Sequence, residues 1–265
     1  MLSVFVLYLV LGAIAGILAG LLGIGGGLVI VPMLVFCFTG LDMPHEHIMH
    51  IALGTSLASI IFTSISSTIA HHRRGVVHWD IVLRITPGII VGTLFGAYIA
   101  SLMSTNLLKG FFGIFLYYVA IQLLLNKKPK PSRELPGNAG MFGVGNVVGI
   151  VSSLMGIGGG TLTVSFMVWC NIIVHHAIGT SAAIGFPIAV AGTVGYILTG
   201  LDVSGLSSYS IGYIYLPALL GVVSASMLTA PLGVRLAHWL PVAKLKRIFA
   251  VLLLLVGTKM LVSLL

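Results

Sequence analysis

The sequence predicts an all-α polytopic membrane protein made of two inverted-topology repeats, each a glycine-broken helix pair followed by three spanning helices. Three observations predict it. The 265 residues are 58% hydrophobic and only 7% charged, against roughly 25% charged in a soluble domain. The run Gly23-Ile24-Gly25-Gly26-Gly27 returns as Gly156-Ile157-Gly158-Gly159-Gly160, 133 positions later. Lysine and arginine collect in a few short connections between apolar stretches, where they set orientation.

Residues 2–22 are apolar, with no charged leading segment or cleavage-like site, and read as a retained membrane helix. Gly12, Gly16 and Gly20 stand four apart on it, a small-residue stripe that lets another helix approach closely. After the first glycine run, 28–38 is apolar but about a dozen residues long, short of the ~20 that a full span needs. A polar connection, 40–47, precedes a full span over 48–70 that opens with His50 and Gly54-Thr55-Ser56. The basic loop His71-His72-Arg73-Arg74-Gly75 leads to spans over 81–102, with Gly92 and Gly96 on one face, and 107–125.

The chain divides at its one obvious linker, a basic and proline-bearing run. Residues 1–126 form the first repeat, 127–137 the cytoplasmic linker and 138–265 the second repeat. Gly145, Gly149 and Ser153 answer Gly12, Gly16 and Gly20; the short segment 161–173 answers 28–39. His175 and Gly179-Thr180-Ser181 answer His50 and Gly54-Thr55-Ser56, and Pro217 answers Pro87. Cys37 and Cys170 sit at matching points after the glycine runs and read as buried small residues rather than a disulfide.

Charge fixes the orientation. The connections 71–84, 127–133 and 235–247 are basic, whereas 40–47, 103–106 and 200–208 hold no lysine or arginine. Placing the basic three in the cytoplasm turns the two halves opposite ways up. Inversion requires an odd number of crossings per half, so each glycine-broken pair must go in and come back, giving five segments per half. Eight plain helices with a kink at each glycine run would leave the repeats parallel and one basic cluster outside.

The net charge of +8 comes from these loops; no basic stripe interleaved with aromatics suggests a nucleic-acid partner. The glycine runs are not phosphate loops of a nucleotide fold, because no Lys-Ser or Lys-Thr follows them. They serve either close packing and tight turns or an anion site. In the second case the amides of Gly25, Gly26, Gly27, Gly158, Gly159 and Gly160 would face an anion from the N-termini of two short helices. Thr55, Ser56, Thr180 and Ser181 either bond the preceding turn or donate hydroxyls to a bound oxyanion; the sequence leaves both open. His50 and His175, matched across the repeat, are candidate entrance residues.

No carboxylate lies within a predicted span, although coupled carriers commonly place one near midplane. The remaining electrostatics favour an anion over a cation. The alternative is a transition-metal carrier using histidine and methionine, with the histidines as ligands rather than interface residues. No nucleophile–base pair or cofactor fingerprint appears, so neither an enzyme nor a cofactor is expected, and no resident metal site is assigned. The expected partners are the bilayer and a small anion, with homo-oligomerisation left open.

The doubled Gly-Ile-Gly-Gly-Gly, the Val31-Pro32 after its first copy, the Gly-Thr-Ser opening each following span and the His72-Arg73-Arg74-Gly75 loop resemble the TauE/SafE family of membrane permeases. The likeness covers essentially the whole chain. Ser165-Phe166 stands where the second copy often has Val-Pro, a departure at the exit from that break. The resemblance implies a multi-pass inner-membrane transporter of sulfite, sulfoacetate or other sulfonates and organic anions.

Overall fold

The computed structural model describes residues 2–22, 26–41, 43–125, 133–236 and 242–264. The first half contains α1 (Leu2–Leu22), α2 (Gly27–Gly40), α3 (Ile48–His72), α4 (Trp79–Leu102) and α5 (Thr105–Leu125). The second contains α6 (Asn138–Met155), α7 (Gly160–Trp169), α8 (Val174–Gly200), α9 (Leu216–Leu236) and α10 (Val242–Val262). A two-stranded hairpin, β1 (Ser210–Ile211) and β2 (Ile214–Tyr215), sits between α8 and α9. The hairpin has no counterpart among the described residues of the first half and was not expected from sequence. Pro217 lies in the first turn of α9, whereas Pro87 lies well inside α4, so the two prolines are not structural equivalents.

Six helices, α3, α4, α5, α6, α8 and α9, are long and apolar enough to cross a membrane among the described residues. Large apolar side chains cover the outside, including Leu83, Leu102, Leu198, Leu220 and Leu228. Hydroxyl residues such as Thr55, Ser56, Ser59, Thr93, Ser152 and Thr180 are buried within. That distribution suits a chain whose solvent is hydrocarbon, and the chain is a multi-pass membrane protein.

Glycine determines which helices meet. On α1, a methyl group at Gly12, Gly16 or Gly20 would overlap the backbone of Val222, Ser226 or Ala230 on α9. On α4, one at Gly88, Gly92 or Gly96 would overlap Phe142, Asn146 or Ile150 on α6. Both stripes run in the same direction as their partner, so α1 lies parallel to α9, and α4 parallel to α6. The central pair runs the other way: Gly54 of α3 faces Tyr196 of α8, Leu57 faces Gly192, Ser64 faces Gly185 and His71 faces Gly179. Gly113 and Tyr117 of α5 likewise meet Leu261 and Gly257 of α10 in antiparallel order.

The described parts of the basic connections gather at one end. Arg74 donates to the Val234 carbonyl at 3.2 Å, next to Arg235, and the antiparallel α5–α10 packing brings the end of α5 to the start of α10. The connections without lysine or arginine gather at the other end, where the Thr105 hydroxyl donates to the Glu46 carbonyl at 2.5 Å. α2 ends at that second end, and α7 ends at the basic one. At 1.5 Å per residue they are about 21 and 15 Å long, together matching the ~37 Å of α3. Each is half a crossing, and their N-termini approach from opposite ends.

Candidate functional site

Both breaks are built from left-handed glycines. Gly26 (φ 76°) caps α2, Gly156 (φ 60°) ends α6 and Gly159 (φ 69°) caps α7. Positive φ is strained for any residue with a Cβ. Neither cap has a side chain to bond the first helical amides, so the opening N–H groups of α2 and α7 lack an intrahelical partner. The breaks touch: a methyl group on Gly27 would overlap the Gly156 carbonyl oxygen and stand 2.9 Å from the Ile157 Cα. Gly160 opens α7, and Gly158 abuts Gly185 of α8, its carbonyl oxygen 3.4 Å from where a Cβ on Gly185 would stand. Gly25 falls outside the described residues.

Each residue of the repeated Gly-Thr-Ser has its own structural task. Gly54 and Gly179 admit extended chain from the opposite half: the Tyr213 and Val76 carbonyl oxygens stand 2.7 and 3.1 Å from where a Cβ would be. The hydroxyls of Thr55 and Thr180 then accept backbone N–H bonds from that chain, Tyr215 at 3.0 Å and His78 at 2.9 Å. Ser56 turns to the second break and donates to the Gly156 carbonyl at 2.7 Å. Ser181 meets the Thr163 hydroxyl at 2.6 Å and the Gly160 carbonyl at 3.4 Å. All four hydroxyl residues are fully buried. The hydroxyls thus hold the glycine breaks and the crossing chain in place.

Sequence reading missed two hydroxyls at the start of α7. Ser152 is fully buried, and its Oγ lies 3.2 Å from where a Cβ on Gly159 would stand. Its Oγ and the Thr161 Oγ1 are buried without a hydrogen-bond partner among the described residues. An unpaired buried hydroxyl costs roughly 1–3 kcal/mol, and these two stand beside the opening N–H groups of α7. Ser152 has no repeat signal, because Ala19 stands at the matching position.

The two entrance candidates differ. His50 is buried, its Nε2 donates to the Ala100 carbonyl at 2.9 Å, and its ring stacks on Tyr213 with centroids 5.0 Å apart. A polar pocket of about 560 Å³ lies there, lined in part by His45, Glu46, His47 and Asn106. His175 is exposed, and its neighbour His176 instead makes the inter-half contact, Nδ1 to His78 Nε2 at 3.0 Å. Among the described residues no three His, Cys, Asp or Glu side chains are grouped to hold a metal ion. Asp80, in the first turn of α4 and largely exposed, is the one described carboxylate within a helix. Cys37 and Cys170 are free thiols, and Gln122 bonds Ser165 at 2.7 Å, in place of the second Val-Pro.

A family model described as Sulfite exporter TauE/SafE matches residues 8–260. A probable membrane transporter protein of Haemophilus influenzae is 37% identical over 98% of this chain and 99% of its own length. The probable membrane transporter protein YunE of Bacillus subtilis is 34% identical over 74% of this chain and 79% of its own. A third, MJ0441 of Methanocaldococcus jannaschii, is 29% identical over 87% and 85%. No solved structure matches. With a helical membrane bundle, paired helix breaks and a match over nearly its whole length, the chain belongs to the TauE/SafE family of membrane transporters.

Proposed function

We propose that the chain is a secondary transporter of small anions, sulfite, sulfoacetate or other sulfonates among them, bound between two inverted repeats at the glycine breaks. The observation that carries this reading is the Ser152 hydroxyl, buried without a partner among the described residues beside Gly159 at the uncapped N-terminus of half-length α7, with the uncapped N-terminus of half-length α2 against the same break at Gly156. A helix N-terminus presents about half a positive charge, so two of them complement roughly one negative charge. Unsatisfied amides at membrane depth are tolerated only where they are buried in protein or line a cavity, and an anion accepts from them. The antiparallel run of α3 against α8, with basic connections gathered at one end, supports the inversion. The name of the matching family supplies sulfite; sulfonates share its oxyanion face.

Uptake of sulfite and sulfoacetate into proteoliposomes tests the reading. Ser152→Ala removes one donor and leaves the break intact, and is expected to raise KM several-fold with little change in thermal stability. Gly26→Leu and Gly159→Leu place a side chain on the left-handed caps, and are expected to abolish flux. Full anion flux in all three variants, purified as folded protein, would count against this site.

A further inference from the structure

We propose that two chain segments, 76–78 and 213–215, are the opposing gates of the transport pathway, and that the two Gly-Thr-Ser motifs couple both gates to the second glycine break. The inference rests on the transport reading above.

The geometry comes in matched pairs. Segment 76–78 follows α3 and crosses to the start of α8, where Gly179 admits it, Thr180 accepts the His78 N–H and His176 bonds the His78 ring. Segment 213–215 follows α8 and crosses to the start of α3, where Gly54 admits it, Thr55 accepts the Tyr215 N–H and His50 stacks on Tyr213. Because α3 and α8 are antiparallel, the two crossings lie at opposite ends of the bundle. The first is at the basic end, among Arg73, Arg74 and Asp80; the second is at the end whose connections hold no lysine or arginine.

The first crossing joins the halves by the His78 N–H to Thr180 bond and the His78–His176 contact, the second by the Tyr215 N–H to Thr55 bond and ring contacts of Tyr213 with His47 and His50 and of Tyr215 with Phe38. Those contacts can be lost without opening the α1–α9 or α4–α6 interfaces. The neighbouring serines reach the two ends of the second break: Ser56 holds Gly156, and Ser181 holds Gly160. Adjacent residues on one helical turn therefore grip a crossing and a break together. A shift at the break on anion binding displaces that turn and the crossing seated on it. The two serines grip opposite ends of one break, so one crossing can lift while the other stays seated.

Accessibility labelling tests this without any transported substrate, so its failure leaves the anion reading standing. In a Cys37→Ser, Cys170→Ser background, Ser152→Cys is titrated with an anionic, membrane-impermeant methanethiosulfonate in vesicles of each orientation. His176→Ala is expected to raise labelling about three- to tenfold from the basic end alone, the population shift that losing one neutral hydrogen bond produces. Tyr213→Ala is expected to raise it from the opposite end alone, and Tyr213→Phe, which keeps the ring stack, to leave it unchanged. Increases from the same end in both alanine variants, or no increase in either, overturn the proposal. Should Tyr213→Ala not fold, His176→Ala decides alone, because its half-buried ring lies at a helix end.

Discussion

Gly156→Ala is the sharpest test of how the second break is built. At φ 60° the residue sits in left-handed space, which costs an L side chain about 1–2 kcal/mol. The new methyl would also stand 2.9 Å from the Leu53 Cδ2 and from the Val31 Cγ2, and 3.1 Å from the Leu53 Cα. The two side-chain tips can rotate, but the Cα belongs to the backbone of α3, which Ser56 ties to the same glycine. Overpacking of this kind costs about 1–3 kcal/mol, so the two effects together come to about 2–5 kcal/mol. Gly75→Ala separates them, because Gly75 has φ 68° and nothing within 4 Å of an added methyl. It should lose only the conformational part.

Gly40→Ala completes the series. Gly40 is the last residue of α2, with ordinary φ and open space around it, and the substitution is expected to be neutral or to stabilise by about 0.4–1 kcal/mol. Thermal unfolding of the purified protein in one detergent ranks the three, with Gly156→Ala lower in Tm by on the order of 5–15 °C. A Gly156→Ala no less stable than Gly75→Ala would refute the claim that the break is wedged between α2 and α3.

Two further variants probe other contacts. Ser56→Ala leaves the Gly156 carbonyl without its donor and is expected to cost about 1–3 kcal/mol in the same unfolding assay, more than Ser101→Ala on an exposed stretch of α4. Gly92→Leu drives a side chain into the Asn146 backbone and is expected to yield no monodisperse protein on size exclusion, whereas Gly143→Leu, with nothing within 4 Å, elutes as the parent does.

The fold was legible because lipid leaves few options. Backbone polar groups must be satisfied within each segment, so apolar length and its interruptions translate directly into helices. The expected spans 48–70 and 81–102 correspond to Ile48–His72 and Trp79–Leu102, and the stretches too short to span became α2 and α7. The stripe Gly12, Gly16, Gly20 announced a close partner, though not which helix it would be. That pairing is decided by parallel packing of α1 against α9, more than 200 residues along the chain, which no local pattern encodes.

The candidate site was legible only in part, and the reason lies in what a repeat can display. Duplication marks residues used twice, so it exposed the glycine caps and the Gly-Thr-Ser pairs. It is silent about residues used once, such as Ser152, and about Tyr213, which belongs to a hairpin inserted in one half. Duplication also reports that a residue matters without reporting how. Thr55 and Ser56 looked alike as hydroxyl donors, yet one accepts an N–H from chain 160 residues away and the other donates to a carbonyl 100 residues away. Both partners lie in the opposite half, as does the His78 N–H that Thr180 accepts, whereas Ser181 bonds Gly160 and Thr163 of its own half. A lone copy would have no crossing chain for Thr55 or Thr180 to seat, so the two threonines have a task only when both halves are present.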